Sequence, residues 1–312
     1  FLFQHSSDWQ AAMDDSKVSL TPMPKSSYPA ALAGQKTACA DCTLHDSTDI
    51  GSNNFAVSGK RTTDGRAILA DDMHLGIRVP GTWFKAQLKW MENGEAFEVA
   101  GVSLPGTPAI VAGSNGHIAW GFTNSTADWS DVIALKLDEK GEKYQTADGW
   151  QEFSYQNEVI KVKGQPDELV LQKETIWGPV LTPPFQHYAY RWVAHDTQGA
   201  NFNLLTLEKS KGVKETLKLA ASAGVPAQNL LVADKDGAIG WTIIGALPDR
   251  KVQHMDTPQD WSNGQNSWTG YLTQSAYPQI YQPKSGQAAS SSTSKMMTLS
   301  RCRCPLNKSW WN

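Results

Sequence analysis

The chain has 312 residues, a net charge of −3 and 19% charged residues, with no block of Lys and Arg. That length can bury a sizeable core in one large or two ordinary domains, while the charge balance argues against nucleic acid or an anionic membrane as partner. No uninterrupted apolar run is long enough to span a bilayer.

The opening Phe1-Leu2-Phe3-Gln4-His5 lacks a basic n-region, an apolar h-region and a cleavage site, and it lacks an initiator Met. The expectation is a chain that begins inside a longer reading frame. Residues 1–51 are irregular, punctuated by Pro22, Pro24 and Pro29 and rich in Ser, Thr and Asp, as in the end of an upstream segment with a linker. Cys39 and Cys42 are spaced as in zinc or redox sites, but the other pair is Cys302/Cys304 and no histidine pair completes a ligand set. A disulfide or idle linker thiols is the expectation there. The thirteen tryptophans are spread from Trp9 to Trp311, as for core and rim residues of a large β-structure; a carbohydrate-binding platform is the alternative.

From Ser52 the texture changes to short strands with turn punctuation. Phe55–Gly59 and Ala67–Ala70 flank Thr63-Asp64-Gly65, an Asp-Gly hairpin signal. Pairing of these strands returns the chain on itself, so residues near 74–77, His74 among them, are expected opposite Ser52. Trp83, Phe84, Leu88 and Met91 share helical spacing and predict a helix over Trp83–Met91. Strands are predicted at Ala109–Ala112, His117–Phe122, Val132–Leu137, Val159–Val162, Leu169–Leu171 and Tyr188–Val193. A helix is predicted at Val213–Ala221, then strands Asn229–Ala233 and Ile239–Ile244 about a Lys235-Asp236-Gly237 turn. Many hairpins and few helices predict stacked antiparallel sheets with helices outside, an α+β arrangement. After Gln287 the composition matches nothing upstream. A reading-frame shift near that residue accounts for it, with a natural disordered tail as the alternative.

Ser52 has a chemical opportunity that a mid-chain serine lacks. If the Gly51–Ser52 bond is cut, the serine gains an α-amine with an unperturbed pKa of about 8. That amine can take the hydroxyl proton directly or through one water, placing nucleophile and base on one residue. A Gly-Ser-Asn tripeptide alone is a weak signal, because most such serines serve turns or caps; its meaning depends on the residues downstream.

Seven motifs occur in order along the chain: Gly51-Ser52-Asn53, Asp71-Asp72-Met73-His74-Leu75, Gly113-Ser114-Asn115-Gly116-His117-Ile118-Ala119-Trp120-Gly121-Phe122-Thr123-Asn124, Asp128-Trp129-Ser130-Asp131-Val132, Ile176-Trp177-Gly178-Pro179-Val180, Ala233-Asp234-Lys235-Asp236-Gly237-Ala238-Ile239-Gly240-Trp241 and Gly245-Ala246-Leu247-Pro248-Asp249-Arg250. From Gly51 to about Gly286 the chain thereby resembles the penicillin acylase family of N-terminal-nucleophile (Ntn) hydrolases. That resemblance implies an Ntn-hydrolase αββα sandwich, here incomplete. It divides the chain into 1–51 as the end of an α-subunit with a spacer, 52–287 as the first part of a β-subunit, and 288–312 as the aberrant tail. It also implies a precursor that cuts itself before the serine, giving an α/β heterodimer.

The resemblance assigns three catalytic roles. Ser52 is the nucleophile, His74 hydrogen-bonds the serine amine or backbone, and the Asn124 main-chain N–H helps to form the oxyanion hole. Asp128, Asp131 and the Ser130 carbonyl match part of a structural calcium site whose other ligands are expected from the upstream chain and from residues near Asp256 or beyond the tail; solvated loop carboxylates are the alternative. No organic cofactor is expected. The family completes its oxyanion hole with an asparagine at the position of Ser292, so this chain lacks that donor and is expected to be an impaired or inactive fragment. Asn229 matches a different, strand-borne position. The implied activity is hydrolysis of the amide in N-acylated small molecules such as β-lactams or N-acyl homoserine lactones, with His74 favouring the lactone or cephalosporin branch, in a periplasmic enzyme. A non-enzymatic β-rich binding protein is the alternative. A serine α/β-hydrolase is disfavoured, because no Gly-x-Ser-x-Gly elbow occurs.

Overall fold

The computed structural model describes residues 52–73, 75, 79–125, 127–251 and 257–284. Strands β1 (Asn53–Val57) and β2 (Ile68–Asp72) form an antiparallel ribbon with Asn54 opposite Asp71. Next come β3 (Phe84–Glu92), β4 (Glu95–Ser103), β5 (Ala112–Ser114) and β6 (Ile118–Asn124), each paired with its successor. After β7 (Ser130–Ala134), small antiparallel sheets form from β8 (Lys143–Thr146) with β9 (Gly149–Glu152), and from β10 (Ser154–Ile160) with β11 (Glu168–Thr175) and β12 (Gly178–Pro179). β13 (Tyr188–Trp192) then returns to pair with β7.

The helix α1 (Val213–Leu219) precedes β14 (Gln228–Asp234) and β15 (Ile239–Ile244). β16 (Pro248–Arg250), β17 (Gln259–Asp260), β18 (Trp268–Tyr271) and β19 (Gln279–Gln282) complete the described elements. The central sheet has seven strands in the order β19-β15-β14-β6-β5-β4-β3, all antiparallel.

Side-chain alternation along the central strands divides the core into two layers. On one face Trp120, Phe122, Leu230 and Val232 pack against Val213 and Leu217 of α1 and against Leu204 and Leu207. On the other, Leu231, Ala233, Trp241 and Ile243 pack against Ala56 and Leu69 of the ribbon. With both faces covered, β15 is buried at every position and β14 at all but its first residue. Each fully buried Leu, Ile or Val is worth roughly 1.5–3 kcal/mol over its exposed state. Burial therefore fixes which residues of β6 and β14 look toward the ribbon. Trp120, Trp241 and Trp261 are core residues, as expected of a β-structure.

The stacked antiparallel sheets and outside helix agree with the α+β expectation, and β6, β7, β10, β11, β13, β14 and β15 overlap the segments that read as strands in the sequence. The helix predicted at Trp83–Met91 is instead strand β3. Its cause is the pair of residues after that strand: Asn93 and Gly94 adopt φ of 50° and 81°, the left-handed pair of a tight two-residue hairpin turn. That turn pairs β3 with β4 over nine positions and stacks Trp90 on Phe97 at 5.2 Å between ring centroids. Phe84 and Met91, two of the residues with helical spacing, are exposed. Ala109 and Ile110 are buried but lie in the connection before β5 rather than in a strand. The ribbon pairs as expected, although its connection is a wide loop containing a 3-10 turn at Gly59–Arg61.

Candidate active site

The site sits where the ribbon meets β6. Asn54 and Ala56 turn inward along β1 while Asn53 and Phe55 face solvent, so Ser52, two residues before Asn54, shares the inward side. Across the gap, β5 pairs with β6 only at Ala119 and Trp120, so β6 runs on beyond its neighbour. Phe122 and Asn124 lie two apart on that overhang and point their N–H groups the same way. The Asn124 N–H donates to Ser52 Oγ at 3.2 Å. The Phe122 N–H faces the Asp71 carboxyl on β2.

Behind Asn124 lies a buried polar network. Asn229, 4% exposed, donates through Nδ2 to Thr123 Oγ1 at 3.1 Å and to the Asn124 carbonyl at 3.3 Å. Its Oδ1 accepts from Trp241 Nε1 at 3.1 Å. Ser125 Oγ donates to the Ala227 carbonyl at 2.6 Å. The bonds to Thr123, to the Asn124 carbonyl and from Ser125 restrain the chain on either side of the Asn124 amide, and the Trp241 bond holds Asn229 in place. A preorganised donor of this kind is what a developing oxyanion requires.

Asp71 is the electrostatic anomaly of the site. Both carboxyl oxygens and Asn54 Nδ2 are buried without completing a hydrogen bond. Burial pushes the Asp71 pKa up to about 6; the nearby Phe122 and Asn54 amides pull it down only in part, and Asp72 adds to the rise. Asp71 rests directly on Gly121, where a Cβ would lie 2.4 Å from the Asp71 Cγ. Only glycine lets the ribbon settle this closely.

The structure brings together Ser52 and Asn124, 72 residues apart in sequence. His74 lies outside the described residues. Asn53 opposes Asp72, and continuing this register sets Met73 across from Ser52, one position short of the expected window. Asp256, Ser292 and all four cysteines also lie outside the described residues.

The Asp128–Asp131 segment, expected to supply part of a calcium site, is engaged by an arginine. Asp131 Oδ2, Asp128 Oδ1 and the Asp128 carbonyl already accept hydrogen bonds from Arg250. Calcium takes six to eight oxygens, and among the described residues no group of three acidic, His or Cys side chains is placed to hold a metal.

Sequence reasoning missed Asp71, Arg250 and the anchoring role of Asn229. The available signal for Asn229 was a polar side chain heading the apolar run Leu230-Leu231-Val232-Ala233, since buried polar groups are nearly always hydrogen-bonded.

The penicillin amidase family model matches residues 3–309. The acyl-homoserine lactone acylase QuiP of Pseudomonas aeruginosa is 29% identical over 252 residues, covering 75% of this chain and 29% of that protein. The penicillin acylase 2 proenzyme of Pseudomonas sp. is 27% identical over 246 residues, 77% of this chain and 31% of that protein. Among solved structures, the thermostable penicillin G acylase from Alcaligenes faecalis superposes with a TM-score of 0.64 at 26% identity, over 74% of this chain and 42% of that one. The chain spans about three-tenths of the length of these two curated relatives.

Proposed function

Because the chain belongs to the penicillin amidase family, we propose that residues 52–284 carry the nucleophile and one oxyanion donor of an acylase that hydrolyses the amide of N-acylated small molecules. The observation that carries this reading is the 3.2 Å hydrogen bond from the Asn124 N–H to Ser52 Oγ. A substrate carbonyl oxygen sits one carbon away from the attacking Oγ, within reach of the same N–H. The names of the relatives, acyl-homoserine lactone acylase and penicillin acylase, supply the substrate class: an acyl group on the amide nitrogen borne by a small ring.

In the proposed cycle the Gly51–Ser52 bond is cut first, giving Ser52 a free α-amine. Ser52 Oγ attacks the amide carbon while the α-amine accepts the hydroxyl proton. Negative charge gathers on the carbonyl oxygen and is met by the Asn124 N–H; loss of one such donor costs roughly 3–4 kcal/mol of barrier. The ammonium then returns its proton to the leaving nitrogen as the C–N bond breaks, leaving an acyl-serine ester. Water attacks the ester, its proton passes to the α-amine and on to Oγ, and the carboxylic acid departs. His74 would orient the serine amine, and the two pieces would remain associated as an α/β pair.

The test places residues 52–284 in a full-length acylase chain of the family and compares it with its Ser52→Ala variant for release of homoserine lactone from an N-acyl homoserine lactone, and of the β-lactam nucleus from an acylated penicillin, by mass spectrometry. Release that disappears in Ser52→Ala supports the reading; undiminished release removes Ser52 from the chemistry.

A further inference from the structure

Arg250 ends β16, where a bulge after Asp249 sets it opposite Trp268 of β18. Its side chain reaches back to the segment that leaves the site four residues after Asn124. Nε donates to Asp131 Oδ2 at 2.8 Å, Nη1 to the Asp128 carbonyl at 2.9 Å, and Nη2 to Asp128 Oδ1 at 3.2 Å. Trp268 Nε1 donates to the same Asp131 oxygen, and its ring centroid lies 5.3 Å from the guanidinium carbon. The Arg250 and Asp131 side chains are each 9% exposed, against 43% for Asp128.

We propose that Arg250 is the built-in cation of the 128–131 segment, holding in place of a divalent metal the main chain that leads away from the oxyanion donor.

Three features carry this. The guanidinium fork occupies one carboxyl oxygen of Asp128, one of Asp131 and the Asp128 carbonyl, and a rigid planar fork suits divergent carboxylate and carbonyl acceptors better than a point charge does. The guanidinium is enclosed on three sides, by Asp131, by the Asp128 main chain and by the Trp268 ring. Entry of a metal would strand that buried positive charge beside a second cation, which low-dielectric surroundings penalise heavily. The neighbouring charges are also matched: Arg191, whose guanidinium carbon lies 4.6 Å from the Trp268 ring centroid, is ion-paired with Asp196.

The experiment needs no catalytic activity. The full chain is titrated with calcium chloride by calorimetry, and its Tm is measured with added calcium and with a chelator. Wild-type protein is expected to give no binding heat and an unchanged Tm under both conditions. Arg250→Ala is expected to lower Tm by roughly 10 °C, as when one partner of a buried ion pair is removed from a chain of this size, and Arg250→Lys is expected to recover only part of that loss. Saturable calcium binding by the wild type, a Tm that falls in chelator, or a wild-type Tm in Arg250→Ala would each overturn the proposal. If Arg250→Ala does not fold, the wild-type titration decides alone.

Discussion

Replacing Asp71 with asparagine should make the protein more stable at neutral pH, even though it removes a charged group from the centre of the site. The Asp71 carboxyl has an ordinary pKa of 3.8 and is raised to about 6 in the fold, chiefly by burial. Its oxygens complete no hydrogen bond that would offset the cost. A rise of about two units, at about 1.4 kcal/mol each, places a penalty of about 3 kcal/mol on the anionic folded state; solvent reaching the half-buried side chain reduces this to about 2 kcal/mol. For an acid whose folded pKa is raised, the folded protein holds a proton that the unfolded chain has lost. Stability therefore falls as pH rises from about 4 to about 6, and the penalty is complete above that window. The substituted amide does not titrate, and every other ionising group is common to both proteins, so the difference between them isolates Asp71. Urea unfolding of both proteins at intervals from pH 4 to pH 7.5 should show near equality at the acid end and an Asp71→Asn advantage of about 2 kcal/mol at pH 7. A difference independent of pH, or a less stable Asp71→Asn at pH 7, would show that the carboxylate is solvated or paired and that burial does not govern it.

The same contact surface predicts that Gly121→Ala forces the ribbon off β6, since the new methyl would lie 2.4 Å from Asp71 Cγ and 2.7 Å from its Cβ. Overpacking of this kind should cost about 1–3 kcal/mol in chemical denaturation, and Gly121→Ala combined with Asp71→Ala should recover part of it. Asn229→Ala removes the two hydrogen bonds that Asn229 donates and leaves the buried Trp241 Nε1 without its acceptor. The expected loss is about 3 kcal/mol of stability, and in the active enzyme a fall in kcat with little change in KM, the mark of an interaction felt mainly in the transition state. Trp241→Phe removes the Nε1–H together with part of a buried ring system, so it should cost about 2–4 kcal/mol while leaving the two hydrogen bonds that Asn229 donates in place.

Local turn chemistry explains which parts of the fold could be read from the residues. The Lys235-Asp236-Gly237 turn, with Gly237 at φ +95°, set the β14–β15 pair, and β15 spans the predicted Ile239–Ile244. At Trp83–Met91 a fortuitous helical spacing misled, and Asn93-Gly94, two residues beyond, held the deciding signal. The site was legible where motif and chain order sufficed: Ser52 and Asn124 do meet. Its supporting contacts were not. Gly121 touches Asp71 across two different sheets, and Arg250 reaches Asp131 from 119 residues away. Such pairings are set by how layers stack, and the spacing of Asp128 and Asp131 gave no sign that an arginine from β16 would reach them.

The nucleophile's own base depends on a new chain terminus, so N-terminal sequencing with intact mass spectrometry of the purified protein probes the proposed chemistry at its root. The expected result is a polypeptide beginning Ser52-Asn53-Asn54, absent when Ser52→Ala is expressed in the same way. A wild-type protein that stays whole across Gly51–Ser52 while still releasing acyl groups would contradict it.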